Sequence, residues 1–498
     1  MAIPKICGIE TEYGILVRGA DPNPVAASSL LIESYVASTT GRIGWDFVDE
    51  SPGRDARGFS LDEDGPEIET HLVNAVLSNG ARYYVDHAHP EMSTPECRTA
   101  LEALAHDLAA EEIVRRSMTA ARRRLPDDAE LIVYKNNSDG KGNSYGCHEN
   151  YLVDRLVPFG RLVSDITPHF VTRQVFCGAG KVGAEAHGGE VDFQLSQRAD
   201  FFEEEVGLET TLKRPIVNTR DEPHCDPAKY RRLHVIVGDA NLSQTATFLK
   251  LASTAIVLAM IEDDFPMGDL ALAHPVPAIR QVSHDPTLRQ SILLRDGRRL
   301  TALDLQWSLL EAAQKYAIER GLEPLGERSD GGSVGDLAID TWEQVLGDLE
   351  TGNAASTVDW AAKLRLVDGY AARHGLGPRD ARLKAIDLQY HDLRPGRGLA
   401  ERLGLTRLVD RDEVERAVTE PPESTRAWFR GTCLRRWPES VVAANWDSVV
   451  FDTGRDPLVR VPMPEPLRGT RDLVGPLFDR ATSPADLIAL LAGGEPRI

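Results

Sequence analysis

Short segments in which polar and apolar residues alternate recur along this chain, and they constrain its fold more than any other feature. Such alternation is typical of strands that bury one face of a sheet and leave the other face open. Amphipathic or apolar stretches at 98–124 and 245–261 predict two helices. The predicted strands cover residues 5–17, 80–86, 130–135, 149–156 and 233–238. Strands mixed irregularly with helices predict an α+β fold in which helices cover a large sheet.

The character of the sequence changes near residue 421, where two prolines follow each other. Beyond them, WFRGTC, NWDSVVFD and LVRVPM predict short strands, and a helix follows. We therefore expect a catalytic domain over residues 1–424 and a small C-terminal domain over residues 425–498. Between Trp45 and Thr70 the chain carries nine carboxylates against two arginines, which predicts a mobile acidic loop over about residues 40–70.

Composition narrows the class of protein. A formal charge of −21 and a pI near 5.1 argue against general binding to nucleic acid or to an anionic membrane. Six scattered cysteines form no C-x-x-C pair, which disfavours a disulfide scaffold and a zinc ribbon. The N-terminal residues lack the apolar run of a signal peptide, and the longest apolar stretch is shorter than the ~20 residues of a membrane span. We expect a cytoplasmic protein.

Two motifs place carboxylates at alternate positions of predicted strands. In GIETEYG, Glu10 and Glu12 share one face, where neighbouring carboxylates repel unless a cation or water lies between them. In GARYYVDHAHPE, Arg82, Tyr84 and Asp86 share a face, and the residues between them point to the predicted core. The arginine could bind an anionic ligand, the tyrosine could bind a metal, and the aspartate could act as a base or nucleophile. Each strand alone is also compatible with a solvated or salt-bridged sheet face.

A third polar face follows in NSYGCHENYL, where His148 and Asn150 alternate on the next predicted strand. Together with Glu91, just beyond the Asp86 strand, the motifs supply an oxygen-rich donor set that favours Mg²⁺ or Mn²⁺ over Zn²⁺. Mg²⁺ in proteins usually bridges to a phosphate, so this set predicts a bound nucleotide.

Further polar residues lie in FQLSQR, KRPIVNTRDEPH and RRLHVIVGDANLS. His234 lies on a predicted strand that ends in a turn. Arg198, Arg214 and Arg220 are candidates to line a groove for an acidic partner. Ion pairs with the glutamates at 203–205 would explain these arginines equally well.

Two motifs are misleading in isolation. Gly142 to Gly146 match the G-x-S-x-G motif of serine hydrolases, but that motif needs a strand before Ser144 and a helix after it. Here a loop precedes the serine and a predicted strand follows, which disfavours a Ser144 nucleophile. The GAGKV segment at 178–182 lacks the spacing and the hydroxyl residue of a phosphate-binding loop.

The chain resembles the PafA/Dop family, whose members act on Pup, the prokaryotic ubiquitin-like protein. The similar motifs span nearly the whole chain in order: GIETEYG, YVDHAHPE, KNNSDGKGNSYGCHENYL, FQLSQR, KRPIVNTRDEPH, RRLHVIVGDANLS and NWDSVVFD. The resemblance implies a fold similar to carboxylate-amine ligases of the glutamine synthetase kind. In that fold a curved antiparallel sheet, packed by helices, cradles ATP and Mg²⁺ beside a small C-terminal domain.

The resemblance also implies roles for individual residues. Asp86 would be the catalytic carboxylate. The implied metal ligands are Glu10, Glu12, Tyr84, Glu91 and His148. The implied nucleotide contacts are Arg82, Thr94, Trp446, Arg430 and His234. Met92 departs from the family, where a tyrosine commonly follows His-Pro-Glu, and we expect this apolar side chain to change packing rather than activity.

The family has a Pup ligase branch and a branch that deamidates Pup and removes it from proteins. The stretch 45–59 resembles a loop that marks the second branch, and the segment 86–91 is one residue shorter than in the ligase. We therefore expect hydrolysis of the C-terminal Gln amide of Pup and of the Pup–lysine isopeptide bond. ATP, or ADP plus phosphate, would serve as a bound cofactor with Mg²⁺, and the partners would be Pup and pupylated proteins.

Three alternatives stay open at this stage. An ATP-consuming Pup ligase would use the same nucleotide site but phosphorylate the Pup γ-carboxylate. A serine hydrolase built on Ser144 would need neither nucleotide nor metal. A Pup-binding adaptor would need no catalytic carboxylates, although the motifs contain them.

Overall fold

The computed structural model describes residues 1–39, 43–48, 50–60, 72–185, 189–454 and 456–493 of the chain. Within these residues the strands are β1 (Cys7–Glu12), β2 (Gly14–Arg18), β3 (Gly44–Trp45), β4 (Asn74–Val76), β5 (Arg82–Asp86), β6 (His89–Ser93), β7 (Glu130–Tyr134), β8 (Cys147–Asp154), β9 (Lys181–Val182), β10 (Phe193–Gln194), β11 (Phe202–Gly207), β12 (Arg214–Asn218), β13 (Tyr230–Val235), β14 (Ser291–Leu293), β15 (Arg299–Thr301), β16 (Val441–Ala444), β17 (Ser448–Phe451) and β18 (Val459–Pro462).

The helices in the same residues are α1 (Pro24–Val36), α2 (Ala100–Arg122), α3 (Phe159–Thr172), α4 (Gln174–Cys177), α5 (Gln244–Glu262), α6 (Pro275–Ser283), α7 (Ala302–Arg320), α8 (Val334–Thr351), α9 (Asp359–His374), α10 (Ala381–Tyr390), α11 (Leu399–Arg402), α12 (Arg411–Ala417), α13 (Ala427–Arg436), α14 (Arg471–Arg480) and α15 (Pro484–Leu491). Side-chain hydrogen bonds at the N-cap explain where two of these helices begin. The Thr99 side chain accepts from Glu102 N at the start of α2, and Ser243 does the same for Ala246 N at α5.

A ten-stranded sheet organises the molecule, in the order β13-β8-β1-β6-β5-β4-β3-β16-β17-β18. Its neighbouring strands run antiparallel except for β3 and β16, which run parallel. Two-stranded sheets pair β2 with β7, β9 with β10, β11 with β12, and β14 with β15. The predicted α+β class with a large antiparallel sheet packed by helices is therefore confirmed.

One face of this sheet packs against helices. Tyr83, Val85 and Met92 of β5 and β6 share a buried apolar cluster with Leu31 of α1 and Ile113 of α2. On the other side of β1, a larger cluster joins β1 and β8 to α3, α5, α7 and α8. Burying this face leaves the alternate positions of the same strands on the opposite face.

The predicted strands and helices of the N-terminal part are confirmed within a few residues. The segment 5–17 covers both β1 and β2, which are separated at Tyr13. The segments 80–86, 130–135, 149–156 and 233–238 correspond to β5, β7, β8 and β13. The helix predictions 98–124 and 245–261 correspond to α2 and α5.

Helix α5 is long and apolar enough to cross a membrane, but 94% of its most apolar window is buried inside the protein. Its residues belong to the largest apolar cluster. Helix α5 is therefore the central core helix of this fold, as its composition predicts.

The C-terminal prediction was partly wrong. The segment WFRGTC forms helix α13, because Phe429, Cys433 and Leu434 are buried at helical spacing. The predicted strands in NWDSVVFD and LVRVPM are confirmed as β17 and β18, and α15 is the final described helix. These strands extend the main sheet through β16 and β3, and their apolar cluster includes Trp45. The domain boundary at 424 stays a prediction.

Residues 50–60 of the predicted acidic loop lie against the segment that follows β12. Ala56 N donates to Thr219 O at 2.8 Å, and Thr219 Oγ1 donates to Asp55 Oδ2 at 2.6 Å. Asp221 N donates to the backbone oxygen of Arg54 at 2.9 Å. Residues 40–42, 49 and 61–70 of the predicted loop lie outside the described residues, and the mobility of the loop stays a prediction.

Candidate active site

The polar face of the ten-stranded sheet brings the sequence-predicted residues together. Glu10 of β1 lies opposite His148 of β8 on one side and Ser93 of β6 on the other. Glu12 lies opposite Glu91, and Glu91 in turn lies opposite Tyr84 of β5. Residues directly opposite in antiparallel strands have their Cβ atoms about 5 Å apart, so this register builds one continuous polar surface.

A cluster of three carboxylates occupies one end of this surface. Oxygen atoms of Glu12, Asp86 and Glu91 all lie within 4.8 Å of one another. Burial, followed by the negative charges of Asp86, Glu12 and Glu10, raises the pKa of Glu91 well above its usual value. A carboxylate in this position needs a cation to stay ionised. The donor set therefore fits a divalent metal ion held by oxygen atoms.

At the other end of the surface, Glu10, His148 and His234 place ligand atoms within 4.8 Å of one another. Glu10 Oε1 accepts from Asn150 Nδ2 at 2.8 Å. Burial would raise the pKa of Glu10, but pairing with His148 and the charges of His234 and Arg232 hold it well below its usual value. Burial lowers the pKa of His234 well below its usual value, against the opposing charge of Glu10. An imidazole that stays neutral in this way suits a metal or ligand contact.

Asp86 lies at the end of β5, where the sheet opens to solvent. Its side chain is 41% exposed, and its Oδ2 lies 3.2 Å from Nδ1 of His87. His89, opposite Asp86, has its Nδ1 3.4 Å from Glu12 Oε2, and its ring packs at a tilt of 34° against Tyr145, with the centroids 4.5 Å apart. The Asp86 side chain is therefore accessible from solvent.

Arg82 is held rigidly on the same face. Its guanidinium lies 4.0 Å from the ring centroids of both Trp45 and Tyr84. Arg82 Nε donates to Asn74 Oδ1 at 3.0 Å, and Nη1 lies 3.9 Å from Glu50 Oε1. The two aromatic rings fix the plane of the guanidinium, whose N–H groups beyond these contacts suit an anion such as a phosphate.

A largely apolar pocket adjoins Glu10. Its lining includes Gly8, Thr94, Tyr151, Pro223, His224, Arg232, Arg426, Trp446 and Pro466. The Thr94 hydroxyl accepts from Ile9 N at 3.0 Å, and a Cβ at Gly8 would lie 3.2 Å from Thr94 Oγ1. An apolar wall with an indole and several cationic groups suits a nucleobase and its sugar phosphate. Predicted Thr94 and Trp446 therefore line one pocket.

Arg430 lies behind that pocket instead of in it. Its side chain is fully buried and donates to Gly80 O at 2.9 Å, Trp446 O at 2.9 Å and the Glu96 carboxylate at 2.5 Å. The structure therefore places Arg430 where it fixes the backbone of Trp446.

The three predicted substrate-binding arginines are partly buried and partly engaged. Arg198, 1% exposed, donates to Ile236 O and, at 3.3 Å, to Ser144 Oγ. Arg214 donates to Ser144 O at 3.1 Å. Burial and the charge of Arg214 lower the pKa of Arg198 to about 10. Buried Nε of Arg220 has no hydrogen-bond partner among the described residues, so Arg220 has the most capacity for a ligand.

Ser144 has the environment of a structural residue. Its side chain and its backbone oxygen accept hydrogen bonds from Arg198 and Arg214, respectively. Within the described part of the chain, no hydrogen bond joins its hydroxyl to a histidine. This arrangement gives no support to a serine hydrolase.

Several residues of the site were missed from the sequence. Arg232 lies one alternate position from His234 on β13 and 3.8 Å from Glu10, so the alternation rule alone could have found it. Asn74, His224 and Arg426 had no local signal, because they reach the site from β4, a loop and the segment before α13.

Comparison with known proteins places these features in a family. A family model described as "Pup-ligase protein" matches residues 5–450. The chain is 51% identical to a protein of Acidothermus cellulolyticus named depupylase, covering 99% of this chain and 100% of the relative. It is 48% identical to a protein of Mycolicibacterium smegmatis named Pup deamidase/depupylase, covering 98% and 99% of the two chains.

Two solved structures share the fold. The chain superposes on the ligase PafA in complex with Pup with a TM-score of 0.79 at 32% identity, covering 98% of this chain and 95% of the other. PafA in complex with ADP gives a TM-score of 0.73 at 35% identity, covering 82% and 89% of the two chains.

Proposed function

Because the chain belongs to the Pup-ligase protein family, we propose that it is a member that removes Pup rather than one that attaches it. The enzyme hydrolyses the side-chain amide of the C-terminal Gln of Pup to Glu, and it cleaves the isopeptide bond between Pup and a target lysine. The observation that carries this conclusion is the 51% and 48% identity over nearly the full chain to the named depupylase and deamidase, whereas a relative named Pup–protein ligase reaches 44% over only 74% of the chain.

One site serves both reactions, because both bonds are carboxamides on the same γ-carbon. Asp86 either attacks that carbonyl carbon directly or removes a proton from the attacking water. Its partly exposed position at the open end of β5 supports this role. The neighbouring charges of Glu12 and Glu91 keep substrate carboxylates away unless a cation compensates them.

A nucleotide and Mg²⁺ belong to the proposal as bound cofactors. The ADP complex of the related ligase supports nucleotide binding, and the pocket of Thr94 and Trp446 fits a base and sugar. Arg82 would bind phosphate, and the metal would be held by Glu10, Glu12, Tyr84, Glu91 and His148. A Mg²⁺ ion held by these residues would supply positive charge that stabilises an oxyanion. Hydrolysis has no thermodynamic need to consume ATP, so we expect ATP or ADP plus phosphate to remain bound.

The partners are Pup and pupylated proteins. We propose that Arg220, Arg198 and Arg214 contribute to binding the acidic tail of Pup. The unpartnered Nε of Arg220 among the described residues supports this. Residues 425–498 act as a small domain that completes the nucleotide pocket through Trp446, and the protein functions in the cytoplasm.

The test is mass spectrometry of Pup ending in Gln, incubated with the protein, Mg²⁺, and either ATP or ADP. The expected result is conversion of the terminal Gln to Glu only when nucleotide is present. Conversion without nucleotide and metal would contradict the cofactor proposal. If terminal Gln were unchanged and ATP were consumed with Pup ending in Glu and a lysine acceptor, the chain would be a ligase.

A further inference from the structure

A row of stacked side chains joins the nucleotide pocket to the guanidinium of Arg82. Trp446, which lines the pocket, packs edge-to-face against Trp45, with the ring centroids 5.1 Å apart. The Arg82 guanidinium lies 4.0 Å from the centroid of Trp45 and 4.0 Å from the centroid of Tyr84. The order of the row is therefore Trp446, Trp45, Arg82 and Tyr84.

Trp45 itself lies outside the pocket. The described residues that line the pocket include Trp446 but neither Trp45 nor Arg82. Trp45 is only 6% exposed, and it shares an apolar cluster with Val76 and Phe429. Any effect of Trp45 on a bound nucleotide must therefore pass through the residues that Trp45 contacts.

Backbone pairing fixes the position of the Trp45 ring. Trp45 is the second residue of the two-residue strand β3, which pairs with β4 on one side and with β16 on the other. It lies opposite Ala444 of β16, and Asp46 N donates to Ala444 O at 3.0 Å. The indole Nε1 donates to the Glu50 carboxylate. These contacts hold both the backbone of Trp45 and the outer edge of its indole in place.

The guanidinium of Arg82 has few other contacts. Its Nε donates to Asn74 Oδ1 at 3.0 Å, and its Nη1 lies 3.9 Å from Glu50 Oε1. Within the described residues, Nη1 and Nη2 of Arg82 make no hydrogen bond. An arginine side chain loses conformational entropy when a ligand fixes it, so neighbours that fix it in advance strengthen binding to its remaining N–H groups. The faces of Trp45 and Tyr84 fix Arg82 in this way.

A nucleotide has two linked parts, the base with its sugar and the charged phosphates. Two subsites that bind linked groups act together best when their separation matches the ligand and is held constant. We infer that Trp45 is a positioning residue that holds the Arg82 guanidinium in register with the nucleotide pocket, so that one nucleotide engages both. This inference rests on the function proposed above, in which Arg82 binds a phosphate of the nucleotide.

A tryptophan with a purely structural role would behave differently, and the same apolar cluster supplies one for comparison. The ring of Trp437 packs against this cluster, stacks on Phe478 and lies 5.1 Å from the guanidinium of Arg436. Trp437 therefore combines apolar packing with a cation–π contact, as Trp45 does, but with Arg436 in place of Arg82. A substitution at Trp437 measures the effect of losing such contacts away from Arg82.

The experiment measures the binding of ADP and of adenosine to the full-length protein by isothermal titration calorimetry, at one fixed Mg²⁺ concentration. Adenosine has the base and sugar but no phosphate for Arg82. The Kd for adenosine divided by the Kd for ADP therefore reports the contribution of the phosphates, and we call this quotient the phosphate ratio. The variants are Trp45→Leu, which removes the aromatic face, and Trp45→Phe, which keeps one. Trp437→Leu is the matched control.

We expect Trp45→Leu to lower the phosphate ratio about tenfold, because the guanidinium loses a cation–π contact in a largely buried position. Trp45→Phe should keep more of the phosphate ratio than Trp45→Leu, since a phenyl ring retains an aromatic face. Trp437→Leu should leave the ratio unchanged. A wild-type ratio in Trp45→Leu, or an equal fall in Trp437→Leu, would overturn the inference.

A second substitution keeps the shape of the indole, in case Trp45→Leu does not fold. Trp45 replaced by a tetrafluorinated tryptophan keeps the ring and its N–H, but the fluorines withdraw the negative charge from the ring face that attracts the guanidinium. The phosphate ratio should then fall by about threefold or more. An unchanged ratio in this folded protein would also overturn the inference.

A double-mutant cycle with Arg82→Met tests the route of the effect. Methionine keeps an unbranched side chain between the two rings but lacks the charge, so Arg82→Met should itself lower the phosphate ratio. Adding Trp45→Leu to Arg82→Met should then cause no further fall. A further fall as large as the one from wild type would show that Trp45 does not act through Arg82.

The outcomes separate this inference from the function on which it rests. If wild-type protein binds ADP no more tightly than adenosine, the phosphate-binding role of Arg82 in the proposed function fails, and the role of Trp45 fails with it. If wild type favours ADP and Trp45→Leu changes both Kd values equally, the proposed function stands and only the role of Trp45 fails.

Discussion

Two glutamates five positions apart have opposite electrostatic environments: Glu91, which is buried, and Glu96, whose side chain is 14% exposed. Glu96 accepts from Arg426 Nε at 2.7 Å and from Arg430 Nη2 at 2.5 Å, and we call these three residues the arginine clamp. Burial alone would raise the pKa of Glu96, but the charges of Arg430 and Arg426 lower it to about 2. Glu91 has three carboxylates as charged neighbours, and its pKa is raised.

The difference separates a structural carboxylate from a functional one. The arginine clamp is complete within the chain, and it joins β6 and the loop after it to α13 and Trp446. The carboxylate cluster of Glu12, Asp86 and Glu91 is incomplete without a cation. Repulsion among these groups therefore destabilises the metal-free protein, and we attribute this strain to the function of the site. Substitutions should therefore have opposite effects on stability in the two regions.

The largest expected effect is that of Asp86→Asn. This substitution removes the reacting carboxylate and should lower both deamidation and depupylation by about 10⁴-fold or more. Because Asp86 is the strongest negative neighbour of Glu91, the metal-free variant should unfold at the same temperature as wild type or higher. Ammonia release from Pup and thermal unfolding in EDTA measure the two effects. Retained turnover would remove Asp86 from the mechanism.

Glu91→Gln should lower activity less, by about 100-fold, because it weakens the metal site and leaves Asp86 in place. Mg²⁺ should raise the unfolding temperature of EDTA-treated wild type but have little effect on the variant. In EDTA alone, Glu91→Gln should be at least as stable as wild type at neutral pH. It removes a carboxyl group whose ionisation is opposed in the folded protein by burial and by neighbouring carboxylates but not in the unfolded chain.

The matched control for Glu91→Gln is Glu439→Gln, which alters an exposed glutamate near the C-terminal strands. This control should keep wild-type activity and the wild-type response to Mg²⁺. A Glu91→Gln variant that binds Mg²⁺ as tightly as wild type would show that the cluster is not the metal site.

The sequence predicts the carboxylate cluster better than the arginine clamp for a physical reason. Alternation along a strand is a local rule, so it assigns Glu10 and Glu12 to one face of their strand, and Tyr84 and Asp86 to one face of theirs. The resemblance to a family then supplied their roles. The pairing of β1 with β6 and β8, which brings the faces together, depends on contacts between distant segments and could not be derived from alternation.

The arginine clamp has no local pattern at all. Glu96 and its partners are about 330 positions apart, and Arg430 lies in a segment for which the sequence predicted a strand. Helix α13 forms there because burial of Phe429 and Cys433 against β16 and β17 outweighs the short alternating pattern. The role predicted for Arg430 as a nucleotide contact stays a prediction, and its position behind Trp446 makes an indirect effect the simplest expectation.

Glu96→Gln should destabilise the protein by about 3 kcal/mol, because it leaves two buried guanidinium groups without their shared carboxylate. This change in the free energy of unfolding has the opposite sign to the change expected for Glu91→Gln in EDTA. The KM for nucleotide should rise, since Arg430 fixes the Trp446 backbone, while kcat at saturating nucleotide changes little. Urea unfolding and steady-state kinetics measure these effects. A stability equal to wild type would show that the clamp contributes nothing.

The smallest expected effect is the pH dependence that the clamp produces. The folded-state pKa of Glu96 is about 2, below the ordinary value of 4.5, so its stabilisation is complete above pH 4.5 and decreases as the pH falls towards 2. At pH 3.5 the loss relative to pH 7 should be about 1 kcal/mol, and Glu96→Gln should lack this component. The measurement is the difference in unfolding free energy between wild type and Glu96→Gln in EDTA, from pH 7 to pH 3.5. That difference should shrink as the pH falls, and a constant difference would mean that the arginines do not hold Glu96 ionised.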